Sequence, residues 1–113
     1  DNPRRKRGTS LSKKPNFMNH IINGTIQILP KDSTTIKYEA IDRAIAVIQE
    51  SGLKYIVCPF ETVIEGEFTA VQETMNKAMA AALELSDEII VLTKWQISSS
   101  QDIFFENKTK RYK

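Results

Sequence analysis

The sequence predicts an α+β fold in which two helices pack on one face of a four-stranded antiparallel sheet. Four segments carry the β-branched or alternating pattern of strands, and two segments repeat apolar residues at the period of an amphipathic helix. These segments follow one another in the order β-α-β-β-α-β. Because right-handed crossovers place both helices on the same side of the sheet, this order is typical of the ferredoxin-like βαββαβ sandwich.

The first half of the pattern lies between residues 21 and 58. Residues 21–29 are rich in β-branched side chains and stop at Pro30, which cannot donate a hydrogen bond to a neighbouring strand. Ser33, Thr34 and Thr35 offer oxygens for capping a helix, and Gly52 marks its end. The apolar stripe of this helix consists of Ile41, Ala44, Ile45 and Ile48. Residues 53–58 are then predicted to form the second strand.

The second half begins after Pro59, which breaks the strand. Residues 60–68 are predicted to continue as the third strand, joined to the second through a tight or bulged hairpin. Thr69 and Gln72 have the spacing of a capping box for a second helix of about 16 residues. The apolar face of this helix consists of Val71, Met75, Ala78, Met79 and Ala82. Residues 88–97 form the fourth predicted strand.

Composition excludes several classes of protein. The chain has 113 residues, of which 41% are apolar and 27% are charged, as in an ordinary single domain. No apolar run approaches the roughly 18 to 20 residues of a membrane helix. The lone cysteine, Cys58, rules out an intrachain disulfide, and His20 is the sole imidazole available to activate it. We therefore expect a soluble, cytoplasmic protein that is not an enzyme, with no catalytic residues, no metal site and no required cofactor.

The net charge of +2 conceals an uneven distribution. Residues 1–14 carry +5, four more cations lie within residues 108–113, and residues 15–107 carry −7. Residues 1–17 combine like charges with Pro, Gly and Ser, which predicts a disordered basic tail. An artificial leader before a natural start at Met18, or the remnant of a processed leader, is an alternative. Residues 18–113 are predicted to form a single ferredoxin-like domain with a C-terminal extension.

The sheet face opposite the helices is predicted to be apolar and therefore covered. A four-stranded sheet with such strands seldom leaves that face in water, so we expect a homodimer or homotetramer. Residues 101–113 carry Ile103, Phe104 and Phe105 on an otherwise polar segment. This segment is expected either to pack on its own sheet or to reach a neighbouring subunit.

The third strand contains three carboxylates, which need an explanation. Strand alternation assigns Phe60, Thr62, Ile64 and Phe68 to the helix side, and it assigns Glu61, Val63, Glu65 and Glu67 to the opposite side. One explanation is a strand end in water, and a second is a catalytic carboxylate pair, for which no partner lysine, histidine or metal set is present. A third is recognition, since a carboxylate beside a threonine and an aromatic ring can hold an amino-heterocycle and any attached cation.

Three sequence stretches carry a family resemblance. C-P-F-E-T-V-I-E-G-E-F at 58–68, preceded by I-Q-E-S-G-L-K-Y at 48–55 and Q-I-L-P at 27–30, resembles the MTH1187/YkoF-like family of thiamine-binding proteins. The likeness extends over residues 20–97. It implies a ferredoxin-like protomer assembled into dimers or tetramers. It also implies non-catalytic binding of thiamine or its hydroxymethyl-pyrimidine portion, in thiamine uptake or salvage.

The resemblance also implies positions for the site. The proline, threonine and glutamate of the family stretch fall on Pro59, Thr62 and Glu65, and the strand-one segment falls on residues 27–30. Where the family pattern has Met-Gly before the threonine, this chain has Phe60 and Glu61. In our hypothesis Thr62 and a glutamate hydrogen-bond an aminopyrimidine and a ring stacks on it. The predicted ligand-binding residues are Gln27, Tyr55, Pro59, Phe60, Glu61, Thr62 and Glu65.

Two other functions compete with ligand binding. RNA-recognition modules share the β-α-β-β-α-β order, but they present a basic, aromatic third strand, whereas this third strand is acidic and repels phosphate. Nucleic acid would then bind only weakly, through the basic tails, without a specific site. The remaining alternative is a regulatory or assembly module that has no ligand.

Overall fold

The computed structural model describes residues 19–112, so the predicted basic tail at 1–17 lies outside the described residues. The main elements are β1 (Ile21–Pro30), α1 (Thr34–Glu50), β2 (Lys54–Val57), β3 (Thr62–Glu67), α2 (Phe68–Leu83) and β4 (Ile89–Gln96). A short helix, α3 (Phe105–Thr109), follows and leads into a single 3₁₀ turn (Lys110–Tyr112). The predicted element order is therefore confirmed, with one additional helix in the C-terminal extension.

The four strands form one antiparallel sheet in the order β2-β3-β1-β4. The central strands are β3 and β1, and each helix crosses over to connect two strands that are not adjacent in the sheet. In register, Ile26 of β1 lies opposite Thr62 of β3 on one side and opposite Thr93 of β4 on the other. This topology is the predicted ferredoxin-like sandwich.

The core lies between the sheet and the two helices. Alternate residues of β1 point at the helices, and Ile22, Ile26 and Ile28 are buried there. Gly24 belongs to the same row, and a Cβ at this position would lie 2.8 Å from Met75 Cε and 3.1 Å from Trp95 Cε3. The absence of a side chain at Gly24 therefore lets α2 and β4 approach β1 closely.

The helix faces follow the sequence pattern, but the helix starts do not. Val71, Met75, Ala78 and Ala82 of α2 are fully buried, as predicted, and Met79 packs against them. The predicted capping box is wrong, because α2 begins at Phe68 with Glu67 at the cap position and no side-chain capping bond. The chain passes from β3 into α2 without a loop, and the Phe68 ring packs on Trp95 with centroids 5.0 Å apart. The first residue of α2 therefore packs against β4, and no side chain caps the helix.

The first helix shows the same contrast. Ser33 occupies the cap position of α1, but its side chain makes no capping hydrogen bond. The helix ends where the sequence indicates, because Gly52 has a φ of 83°, a left-handed conformation that residues with a side chain rarely adopt.

The C-terminal extension packs on its own sheet, on the face opposite α1 and α2. The Ile103 N–H donates to the Ile21 carbonyl at 2.9 Å, and the Asn23 side chain donates to the Ile103 carbonyl at 2.8 Å. Phe105, the first residue of α3, is buried. Of the two alternatives for this segment, the structure shows the intramolecular one.

Candidate functional site

The sheet has an incomplete edge at the C-terminal end of β1. Residues 27–30 of β1 pair with β4, but β3 begins at Thr62, opposite Ile26, and leaves their other side without a strand partner. The loop between β2 and β3 occupies this end of the sheet. The loop is closed by the Cys58 N–H, which donates to the Glu61 carbonyl at 2.9 Å.

A cavity of about 200 Å³ lies between this strand edge, the β2–β3 loop and helix α1. Its walls are mostly aliphatic. The residues from the sheet and loop are Ile26, Gln27, Ile28, Leu29, Val57, Cys58, Pro59, Phe60, Glu61 and Thr62, and those from α1 are Ile41, Ala44, Ile45 and Ile48. The cavity therefore has an apolar wall opposite a strand whose backbone donors and acceptors are unpaired on that side.

Thr62 is the buried polar residue of the cavity. It is the first residue of β3, points toward α1 as predicted, and is only 5% exposed. Within residues 19–112 its hydroxyl makes no hydrogen bond. Its oxygen is not fully enclosed by protein atoms, so Thr62 offers a donor and an acceptor to a molecule in the cavity.

The rim of the cavity carries a ring and a carboxylate. Phe60 is 80% exposed, so the prediction that it faces the helix core is wrong. The reason is that β3 begins only at Thr62, and strand alternation does not extend back into the loop. Glu61 is partly exposed, and its Oε1 lies 3.3 Å from Nζ of Lys94 on β4. Both loop residues remain beside the opening.

Five of the seven predicted ligand-binding residues line this cavity. Gln27, Pro59, Phe60, Glu61 and Thr62 come together from β1, the loop and β3. The β2–β3 pairing runs regularly up to the pair formed by Val57 and Thr62, and the loop begins there. Gln27 lies on the opposite row of β1 from Ile26 and Ile28, so alternation directs its side chain away from α1. Gln27 lines the cavity at the free edge of β1.

Tyr55 and Glu65 lie elsewhere. Tyr55 is on β2 opposite Ile64 and packs against the core. Glu65 lies on the sheet face opposite α1, as predicted, but it is 6% exposed, so the explanation that it sits in water at the strand end is wrong. Its Oε1 accepts hydrogen bonds from the Phe105 N–H at 2.7 Å and from Asn23 Nδ2 at 3.3 Å. The C-terminal extension covers it.

Sequence reasoning missed the α1 wall of the cavity. Ile41 and Ile45 were assigned to the core stripe of α1, but both are only partly buried and line the cavity. The buried set of α1 is Ala40, Ala44 and Ile48, so Ile41 and Ile45 lie to one side of it.

His20 and Cys58 lie at different places in the fold. His20 precedes β1 and lies 3.4 Å from Asp102, whereas Cys58 lies beyond the paired end of β3, about six strand residues or roughly 20 Å away. Between residues 19 and 112, no cluster of three His, Cys, Asp or Glu residues is arranged to hold a metal ion. In the same range, no helix is long and apolar enough to cross a membrane.

Known proteins resemble this chain in sequence and in fold. The family model described as "Thiamine-binding protein" matches residues 24–113. A UPF0045 protein of Clostridium perfringens is 34% identical over 62 residues, which is 55% of this chain and 65%, or just under two thirds, of that relative's length.

Two solved structures share the fold over most of both chains. A domain of unknown function, DUF77, from Bacillus cereus has a TM-score of 0.78 at 26% identity and covers 83% of this chain and 91% of its own. A protein of Thermotoga maritima, described as a putative thiamine biosynthesis/salvage protein, has a TM-score of 0.76 at 25% identity and covers 82% and 99%.

Proposed function

This chain belongs to the thiamine-binding protein family, and from that premise we propose that the cavity beside the β2–β3 loop binds the hydroxymethyl-pyrimidine portion of thiamine. The protein holds the ligand without transforming it and needs no cofactor. Its role is in thiamine uptake or salvage in the cytoplasm. The solved relative from Thermotoga maritima, described as a putative thiamine biosynthesis/salvage protein, supports this direction.

The single observation that carries the proposal is the Thr62 hydroxyl. It lies in an aliphatic cavity, is 5% exposed at the level of the residue, and makes no hydrogen bond within residues 19–112. An aminopyrimidine offers both N–H donors and ring-nitrogen acceptors, and a hydroxyl can pair with either. A buried hydrogen bond of this kind gives orientation and specificity within an otherwise apolar pocket.

The size of the cavity favours one ring over two. Its volume of about 200 Å³ is below the approximately 300 to 1,000 Å³ of pockets that enclose drug-sized ligands. A single heterocycle is the matching occupant. In this arrangement the pyrimidine enters the cavity and the thiazolium ring stays at the opening, beside Phe60 and Glu61.

The free edge of β1 supplies further partners for the heterocycle. Along a strand, the N–H and C=O groups of alternate residues point to the same side, and residues 27–30 have no strand on the side of the loop. A flat ring with adjacent donors and acceptors can pair with such an edge as a neighbouring strand would. Alternate residues of the 27–30 segment can contribute to the site in this way.

Thermal unfolding of the full chain tests the proposal. Ligand at about a hundred times its dissociation constant adds about 2.7 kcal/mol of stability, which is on the order of a 10 to 20 °C rise in midpoint for a domain of this size. We expect a rise with hydroxymethyl-pyrimidine alone and with thiamine. If neither compound raises the midpoint at millimolar concentration, the proposal is wrong and the cavity has another role.

We also propose that a second copy of the chain covers the sheet face opposite α1 and α2. Strand alternation places Leu29, Ile90 and Leu92 together on that face, and each exposes 40 to 49% of its surface. The C-terminal extension covers the other end of the same face, near Asn23 and Glu65. An exposed apolar patch of this kind is typical of a subunit interface, so we expect a homodimer or homotetramer in light scattering.

A further inference from the structure

We infer that Glu61 makes this site select unphosphorylated thiamine over its phosphate esters, and that Lys94 sets the strength of the selection. This inference rests on the proposed function. It adds a charge criterion that the shape of the cavity does not provide, because the phosphate of an ester lies far from the pyrimidine ring.

The charge of the cavity lining is the first observation. In the described part of the chain, Glu61 is the one acidic residue of the cavity lining, and no lysine or arginine lines the cavity. Proteins that hold phosphate groups generally surround them with arginine, lysine or backbone N–H donors at a helix start. This lining is of the opposite kind, and residues 15–107 carry −7 overall.

The chemistry of the ligand makes this charge decisive. Thiamine carries one permanent positive charge on its thiazolium ring, whereas a phosphate monoester adds about −1.5 to −2 at neutral pH. With the pyrimidine in the cavity, the thiazolium lies at the rim, where Glu61 attracts it and the exposed Phe60 ring can receive it. The phosphate of an ester would lie near the same carboxylate and be repelled by it.

Lys94 competes with the ligand for Glu61. Its Nζ lies 3.3 Å from Glu61 Oε1, and its side chain is 74% exposed. In the free protein the lysine therefore offsets part of the negative charge of Glu61. This ion pair must weaken when a thiazolium ring binds to the same carboxylate. Removing the lysine charge should accordingly strengthen thiamine binding, which would be an unusual result for loss of a salt bridge.

Calorimetric titration of the full chain with thiamine, thiamine monophosphate and hydroxymethyl-pyrimidine tests the inference. We expect the monophosphate to bind at least about tenfold more weakly than thiamine, given the several-fold effect of each close charge. Glu61→Gln should lower the affinity for thiamine by about fivefold and should leave the affinity for hydroxymethyl-pyrimidine unchanged. It should also reduce the ratio of the affinities for thiamine and for its monophosphate. Lys94→Met should raise the affinity for thiamine by up to about fivefold, which corresponds to the upper range of the free energy of an exposed ion pair.

Glu84→Gln is the matched control. Glu84 also forms a partly exposed ion pair, with Arg43 at 2.7 Å, but it does not line the cavity. This variant should leave all three affinities unchanged. A change as large as that of Glu61→Gln would show that the effect comes from overall charge and would overturn the role of Glu61.

Two results would overturn the inference while leaving the proposed function intact. One is equal affinity for thiamine and its monophosphate. The other is a Lys94→Met variant that loses affinity for the ester alone, since Lys94 would then be a phosphate contact. Failure of both thiamine and hydroxymethyl-pyrimidine to bind is a different outcome, because it refutes the proposed function itself.

Discussion

Replacing Thr62 with valine should separate ligand binding from stability. The exchange keeps the branched shape and the strand preference while removing the hydroxyl. Because that hydroxyl makes no hydrogen bond within residues 19–112, its loss should leave the free energy of unfolding of the free protein unchanged or raise it by up to about 1 kcal/mol. Most core substitutions lower stability, so the expected sign is itself informative.

The effect on binding should have the opposite sign. Loss of one net hydrogen bond, about 1 ± 0.5 kcal/mol, weakens affinity by about 2- to 12-fold. At a ligand concentration of about a hundred times the original dissociation constant, a tenfold loss reduces the stabilisation from about 2.7 to about 1.4 kcal/mol. The rise in midpoint produced by hydroxymethyl-pyrimidine should therefore fall to about half of its original value.

The assay is thermal unfolding with and without hydroxymethyl-pyrimidine, with Thr74→Val as the control. Thr74 is 7% exposed, close to the 5% of Thr62, but it lies on α2 and does not line the cavity. The control should keep the full ligand-induced rise. Our reasoning fails if Thr62→Val also keeps the full rise, or if it lowers the stability of the free protein by more than about 1 kcal/mol, since the hydroxyl would then have an internal partner.

Three further substitutions test other parts of the structure. Gly24→Ala places a methyl group 2.8 Å from Met75 Cε and 3.1 Å from two ring atoms of Trp95 and should lower the free energy of unfolding in urea by about 1 to 3 kcal/mol, whereas a neutral result would show that the Met75 side chain turns aside. Glu65→Ala should expose the Phe105 amide to hydrogen exchange without changing thiamine affinity, and a loss of affinity would return Glu65 to the ligand site. Leu92→Lys should reduce the molar mass in light scattering, to that of one chain for a dimer and to that of a smaller oligomer for a tetramer, and an unchanged mass would exclude this face as the interface.

The sequence predicted the elements well because each depends on local periodicity. The β-branched content of residues 21–29 identified β1, the apolar stripe of α2 identified its buried residues, and Gly52 identified the end of α1. The start of α2 was not predictable in this way, because the contact between Phe68 and Trp95 joins residues distant in sequence. A capping pattern such as that of Thr69 and Gln72 predicts the start of a helix only where packing contacts do not already determine it.

The candidate site was only partly predictable, because it depends on contacts between residues distant in sequence as well as on local periodicity. Thr62 and Glu61 were assigned to opposite faces by alternation, and they still border one cavity because β3 begins at Thr62 and Glu61 belongs to the preceding loop. Glu65 has the same strand pattern as Glu61 but a different role, since a segment about 40 residues later in the chain covers it. Neither the missing strand partner nor this cover leaves a trace in local sequence.

The docking of the C-terminal extension has a consequence for the order of folding. Its hydrogen bonds join residues about 80 positions apart, such as Asp102 and the Ile21 N–H or Ile103 and Asn23. Contacts of such long sequence separation form late, because closing the intervening chain is entropically unfavourable until the elements between them have folded. The Phe105 amide binds a carboxylate of β3, so it becomes protected only after the sheet exists. In pulse-labelling hydrogen-exchange experiments, the time at which the Phe105 amide becomes protected therefore reports when the sheet is complete.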